Sequence, residues 1–410
     1  MKRIYLILFA ILLGYPNIHG QLVFESGNLF VEISDIISDM PGNTGDDYDE
    51  PSQLQLATWG IGLSELFSTN YSQAAMQFNS IGYSLVEYTD NTGSDDRIYY
   101  LIRSNGNNFW GTYVWYPNFE RSLIIQSPHP QKDLNTGIEG IHVFRETGAL
   151  FFCLSGTSRC NSSFSSNCSG NTSVCTGNSE NYRISDLSHV VASVFQSTTD
   201  SLFNRFDESH FIQLHGFAKQ PTDPYVILSN GTRETPIPDY LSAFRDNLFN
   251  EDNSLTFKIA HIDQDWTRLI GFTNTQGRLI NASIDHCTEN AELTNGRFFH
   301  VEQEKTKLRD NILGWNKVAN ALINTFPPVS TSVYEEIATP ISVYPNPTTG
   351  KLVVEGKHNG ICVFSWMGHD ITAQLTIIKM DDKVNLDMSS CPAGIYFLKT
   401  EAGIIRFVKH

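Results

Sequence analysis

Leu123-Ile-Ile-Gln126, then Ser127-Pro-His-Pro-Gln-Lys-Asp-Leu-Asn-Thr136, then Leu150-Phe-Phe-Cys-Leu154 form the stretch that decides the fold. Each apolar run is as short as a buried strand and too short for a core helix. A polar loop follows the first run, and residues 137–148 read as a helix that carries the chain back to the second. Strand, loop, helix and strand in that order make the repeating unit of an α/β sheet.

The same grammar continues outward. After Leu154 comes a loop rich in Cys, Ser and Asn, and residues 186–205 read as a helix. Phe211-Ile-Gln-Leu214 and Tyr225-Val-Ile-Leu228 read as strands, and residues 238–250 as a helix. Phe298-Phe-His-Val-Glu302 is another strand, running straight into a helix from 304 to about 323. Residues 22–125 carry alternating aromatic runs at 84–88, 97–103 and 109–116, read as β-structure, with one helix near 52–68. The expected core is therefore a mixed, largely parallel sheet with helices on both faces, spanning 21–326. In such sheets ligands sit beyond the carboxyl ends of the strands. The aromatics Trp110, Tyr113, Trp115 and Tyr116 could bind glycan if exposed, but buried core is the preferred reading.

The ends of the chain carry addresses. Lys2 and Arg3 precede the apolar run 4–13, and Gly20 offers a small residue for cleavage, so residues 1–20 read as a secretory signal. That run falls short of the roughly 20 residues a transmembrane helix needs. Pro327-Pro328 and the Ser/Thr run beyond them, 327–337, read as a linker. From there the strands are short and separated by turn residues, as in a small β-sandwich over 338–410. Tyr344-Pro-Asn-Pro-Thr-Thr-Gly350 and Ala393-Gly-Ile-Tyr396 resemble the type IX secretion C-terminal sorting domain. That resemblance implies export through the periplasm, a partner in the outer-membrane secretion machinery, and a secreted or cell-surface product.

The formal net charge is −16; Lys2 and Arg3 lie in the signal, and 338–410 holds 7 Lys/Arg against 6 Asp/Glu, which leaves −19 on the middle. So acidic a surface is a poor partner for nucleic acid or an anionic membrane. Asp46-Asp-Tyr-Asp-Glu50 reads as a solvated turn in preference to a calcium site. Of the 7 cysteines, 5 lie in the middle domain, so at least one there cannot pair within it. Export favours disulfides. Cys160, Cys168 and Cys175 are candidates, with Cys287 a candidate to join them. Cys153 reads as a buried free thiol, and Cys362 with Cys391 as a candidate pair in the tail.

Polar residues fall where the sheet rule puts a site. The strand ends lead into His129 and Asp133, into Ser155–Arg159, into His215-Gly, and into Glu302-Gln-Glu304. A catalytic zinc takes three ligands from His and Asp/Glu and keeps one position open. His129, Asp133 and His215 are the candidate ligands. A carboxylate must then move the proton to the leaving amine, with Glu302 first and Glu304 second. Arg159 is the candidate for a substrate carboxylate. Asp186 reads as an N-cap and His189 as structural. No Gly-x-Ser-x-Gly elbow, phosphate-cradling glycine loop or His-Glu-x-x-His is present.

Ser-Pro-His129 with its downstream acid, Leu-His215-Gly and Val-Glu302-x-Glu before Arg309 resemble the zinc-dependent amidohydrolase and carboxypeptidase superfamily, which includes N-formylglutamate amidohydrolases and poly-γ-glutamate hydrolases. The resemblance implies zinc and an amide bond in a peptide-like or γ-glutamyl substrate. That superfamily usually places its acid three residues after the first His, where this chain has Lys132; Asp133 and Glu139 are both open as the second ligand. The rival readings are a non-catalytic surface protein binding glycan or protein, and an inactive member of the fold.

Overall fold

The computed structural model describes residues 21–106, 108–329, 342–355, 360–365, 370–379, 383–400 and 403–410. The expected signal and most of the expected linker lie outside these residues. The chain divides after Val329 into two compact units.

The first unit is built on one ten-stranded sheet. Its strands are β1 (Val23–Gly27), β2 (Tyr83–Asp90), β3 (Arg97–Ser104), β4 (Thr112–Trp115), β5 (Arg121–Ser127), β6 (Ala149–Leu154), β9 (His210–Phe217), β10 (Val226–Ser229), β11 (Phe257–Ile259) and β12 (Phe298–Glu304). A two-stranded ribbon, β7 (Asn171–Thr172) with β8 (Glu180–Asn181), stands apart. The sheet order is β1-β2-β3-β4-β6-β5-β9-β12-β10-β11. At its centre β6, β5, β9 and β12 run parallel. β4 and β10 flank them antiparallel.

Helices cover both faces. On one lie α1 (Leu29–Ser38), α4 (Thr136–Thr147), α6 (Tyr240–Glu251) and α8 (Ile312–Thr325), packed on Leu123, Ile125, Ile212, Leu214, Phe299 and Val301. On the other lie α2 (Gln53–Phe67), α3 (Tyr71–Ser80), α5 (Val194–Arg205) and α7 (Thr275–Ile280), packed on Ile124, Phe151, Phe211 and Phe298. The strands alternate faces residue by residue, as extended chain must. Fully burying each such side chain contributes about 1.5–3 kcal/mol.

Several expectations need correction. The N-terminal region holds α1 and α3 as well as α2. α1 buries Leu29, Ile33 and Ile37, one face of a helix at four-residue spacing, and Asn28 caps it by accepting from the Phe30 amide at 3.0 Å. The expected helix 186–205 begins only at Val194, capped by Ser193 on the Gln196 amide at 3.1 Å. Asp186 and His189 stand in a loop, and Asp186 is no cap. The expected helix from 304 is a π-helical turn, Lys305–Arg309, followed by α8, which Asn311 caps afresh. By contrast, Trp110, Tyr113, Trp115 and Tyr116 are all buried, in agreement with their reading as core.

Disulfides join Cys160 to Cys175 and Cys168 to Cys287. Cys153 is a buried free thiol. Cys362 and Cys391 are free too, against expectation. Cys362 is half-buried on a strand opposite Lys399, whereas Cys391 turns into the tail core.

The second unit has two antiparallel sheets. One is β13 (Ser342–Tyr344), β14 (Lys351–Glu355), β17 (Lys383–Asp387) and β16 (Thr376–Lys379); the other is β15 (Cys362–Ser365), β18 (Gly394–Thr400) and β19 (Gly403–Lys409). Leu352, Val354, Val384 and Leu386 from the first share a core with Val363, Leu398 and Phe407 from the second. The tail's motif residues have structural jobs. Asn346, between its prolines, accepts from the Val408 amide at 3.0 Å and donates to the Arg406 carbonyl at 3.2 Å. Gly350 has φ +143°, and a Cβ there would meet Ser389. The Tyr396 hydroxyl donates to the Pro392 carbonyl at 2.8 Å. No helix among the described residues is long and apolar enough to cross a membrane.

Candidate metal centre

The site grows from one face of three strands. Following the α2/α5 side along each strand gives Ile124 then Gln126, Phe211 then Gln213 and His215, and Phe298 then His300 and Glu302. The face is apolar at the amino ends and polar at the carboxyl ends. Parallel pairing sets Glu302 beside His215 and His300 beside Gln213. His129 and Asp133 reach the same point from the loop after β5. That loop is held by the Ser127 hydroxyl on the Thr136 carbonyl at 2.9 Å, and by the Asp133 amide on the His129 carbonyl at 3.0 Å.

Arg309 ties the pieces together. Its guanidinium donates to the carbonyls of Gln303 on β12, Leu134 in the loop and Phe217 on β9. Position 216 must be glycine because a Cβ there would run into that guanidinium. The Gly216 amide donates to Asp133 Oδ2 at 3.3 Å.

His129, Asp133 and His215 form a group whose ligand atoms lie within 4.8 Å of one another; His215, His300 and Glu302 form a second such group. All five residues are buried. Each of the first two rings turns Nδ1 to Asp133 Oδ2 at 3.2 Å. Their outer nitrogens are committed: His129 Nε2 to Asp186 Oδ1 at 2.8 Å, and His215 Nε2 to Gln213 Oε1 at 2.8 Å. Gln213 is oriented in turn, because its amide nitrogen donates to Gln126 and Gln276 and its oxygen accepts from Asn274. An acceptor on each Nε2 places the proton there. In the neutral rings both Nδ1 lone pairs then face a carboxylate oxygen, three acceptors around one point. A cation satisfies that arrangement, and the donor set of two imidazoles and a carboxylate suits zinc.

The electrostatics agree. Burial pushes the His215 pKa down to about 4, so the ring is neutral. Burial and Arg159 oppose charge on His129, but Asp186 and Asp133 outweigh them and raise its pKa. Asp133 resists burial because His129, His215 and Arg159 hold it well below the ordinary carboxylate range. Burial, reinforced by Asp133, pushes Glu302 up to about 8. Among the described residues, Glu302 Oε2 and His300 Nδ1 are buried without a hydrogen-bond partner.

The remaining expected residues fall elsewhere. Glu139 sits on α4 with Oε2 on Gln303 Nε2 at 3.1 Å, on the other face of the sheet and in neither ligand group. Glu304 turns its carboxylate to the Lys307 amide at 2.9 Å and the Thr306 hydroxyl, capping the π-helical turn. Arg159 places Nε and Nη2 on Asp186 Oδ2 at 2.9 and 2.6 Å, while Nη1 lies 4.0 Å from Asp133. His189 donates from Nδ1 to the Thr273 carbonyl at 3.0 Å and stacks on Tyr182 with centroids 3.6 Å apart. Sequence reasoning missed His300 and the roles of Asp186 and Gln213. His300 and Gln213 carried a signal, each lying two residues before a chosen residue on the same strand face. Asp186, 57 residues from His129, carried none.

Of these residues His215, His300, Glu302 and Arg159 line a cleft of about 470 Å³, whose other walls include the ribbon residues Asn171 and Thr172, His189, and residues of the segment 267–273. Residues 342–410 match the family described as secretion system C-terminal sorting domain. This tail is a type IX sorting domain, so the protein engages the secretion machinery and is exported to the cell surface. Comparison with curated proteins gives no match. Among solved structures, the chain is similar to an N-formylglutamate amidohydrolase from Ralstonia eutropha JMP134 at 11% identity, over 52% of this chain and 95% of that one, with a TM-score of 0.32. A likeness of that size carries no chemistry across, and the site stands on its own geometry.

Proposed function

We propose that the first unit is a secreted zinc-dependent hydrolase that cleaves an amide bond in a peptide-like substrate, with His129, Asp133 and His215 as ligands. The observation that supports this most is the convergence of two Nδ1 atoms on Asp133 Oδ2 while both Nε2 atoms are held by Asp186 and Gln213. Zinc would supply Lewis acidity there, polarising a carbonyl and acidifying water.

The chain's own residues do the rest. Asp186 and Gln213 hold the two rings at one angle and one tautomer. Arg159 holds Asp186, so it acts as a positioning residue in this reading and not as a clamp on substrate. Glu302, beside His215 and lining the cleft, carries a carboxyl shifted to about 8. Near neutral pH it can take a proton and return it to a departing amine, as a general acid/base must. His300, stacked on His215 with centroids 4.4 Å apart, walls off the other side. Burial excludes bulk water and strengthens each of these interactions.

The test is elemental analysis of the chain from Gln21 after dialysis. One zinc per chain, lost in His215→Ala, supports the reading. A folded chain that takes up no zinc when it is offered sinks it.

A further inference from the structure

The cleft is poor in available positive charge. Among its lining residues the charged ones are Arg159 and Glu302. Arg159 spends Nε and Nη2 on Asp186, and its remaining Nη1 faces Asp133. Arginines of neighbouring segments are committed as well. Arg268 pairs with Asp223 at 2.7 Å, and Arg183 donates to the carbonyls of Cys160 and Ser162. Arg278 donates to the carbonyls of Phe272 and Cys287.

What the walls offer is of another kind. His189 donates through Nδ1 to a backbone carbonyl, so Nε2 of the neutral ring is an acceptor. Thr172 and Thr267 add hydroxyls, and Val174, Leu269 and Ile270 add apolar surface. A carboxylate taken out of water needs a charged or multiply donating partner to replace its hydration. This cleft holds no uncommitted cation among the described residues, and its side-chain amide, Asn171, is neutral. An amide N–H or a small apolar side chain, by contrast, finds partners there.

We propose that the cleft takes the uncharged part of a chain: an internal or end-blocked amide, with no free carboxylate next to the bond cut. This rests on the hydrolase reading above, and it disfavours a γ-glutamyl group bearing its free α-carboxylate. Val174, exposed on the cleft wall, is where a missing cation could be supplied.

The probes are the monohydroxamate of succinate and its methyl ester, which differ only in the charge at the far end. Their binding to the zinc-loaded full chain is measured by calorimetry. The ester should bind at least about tenfold tighter, the discrimination expected when one buried polar group lacks a partner. In Val174→Lys the preference should invert while zinc content is unchanged. Equal affinities, or tighter binding of the free acid to the unsubstituted chain, overturn the proposal; so does a Val174→Lys variant with the preference unmoved. A chain that takes up no zinc, or a zinc-loaded chain that binds neither probe, overturns the hydrolase reading and this proposal with it.

Discussion

The two faces of the central strands differ more than any other pair of regions in the molecule. On the α4/α8 face Leu123, Ile125, Ile212, Leu214, Phe299 and Val301 belong to one apolar core. On the opposite face of the same strands Ile124, Phe211 and Phe298 give way to Gln126, Gln213, His215, His300 and Glu302, all buried. Burial alone therefore does not distinguish core from site. The difference lies in what the buried atoms are joined to. One face gains from removal of apolar area from water; the other must satisfy every polar atom, and two of them, Glu302 Oε2 and His300 Nδ1, remain without partners.

The largest expected effects separate the faces. His215→Ala should abolish zinc binding while circular dichroism shows a folded chain. Its neighbour Leu214→Ala should cost about 2–5 kcal/mol in denaturant unfolding with zinc content unchanged. If Leu214→Ala loses zinc from a folded chain, the two faces are not independent. Next is Asp186→Asn, which keeps the shape but weakens the hold on His129 Nε2. Zinc affinity by calorimetry should fall about 10–100-fold, and an unchanged affinity would mean that the second carboxylate is idle.

Acid should act through the same face. His215 and His189 are held near 4 and 3 in the folded chain, chiefly by burial. Their ordinary value is about 6.5, so between that pH and 4 the unfolded chain binds more protons and stability falls as pH falls. Glu302, raised to about 8, acts in the other direction: its contribution is lost as pH rises from the ordinary carboxylate range through 8. The metal-free chain should thus show a melting temperature that drops below pH 6.5, with zinc restoring part of it. A flat profile from 6.5 to 4 would contradict the neutral, buried histidines. The smallest effect is expected in the second unit. Cys362→Ser should leave the melting temperature unchanged, and denatured chain should titrate 3 free thiols. Only 1 would mean that the tail pair forms.

Much of the scaffold was legible because it is local. Leu123–Gln126 and Leu150–Leu154 are strands on length and composition, and the prolines, Asn346 and Gly350 mark the tail. Alternation also marks His215 and Glu302 at strand ends. The misses share a cause. α1 is hidden because residues 22–125 read as β-structure on aromatic runs at 84–116, far along the chain from Leu29, Ile33 and Ile37. Asp186 reads as a helix cap because its neighbours suit a helix, whereas Gln276 and Thr275 of α7 bind the loop at Leu187 and Ser188 and delay the helix to Val194. Arg159 read as a free cation because its carboxylate is 27 residues away.

What the sequence by itself determined is the set of strands, the acidic middle, the sorting tail, and the histidines and acids at strand ends. These follow from side-chain period and turn chemistry, which act over a few residues. The tertiary structure alone decided which acid meets the histidines. Asp133 faces both rings because the Arg309 carbonyl contacts close its loop onto β9, while Glu139, in the same short stretch, is carried by α4 to the other side of the sheet. It also decided the tautomers and the commitment of Arg159, since hydrogen bonds between distant residues exist only once the sheet brings its carboxyl ends together.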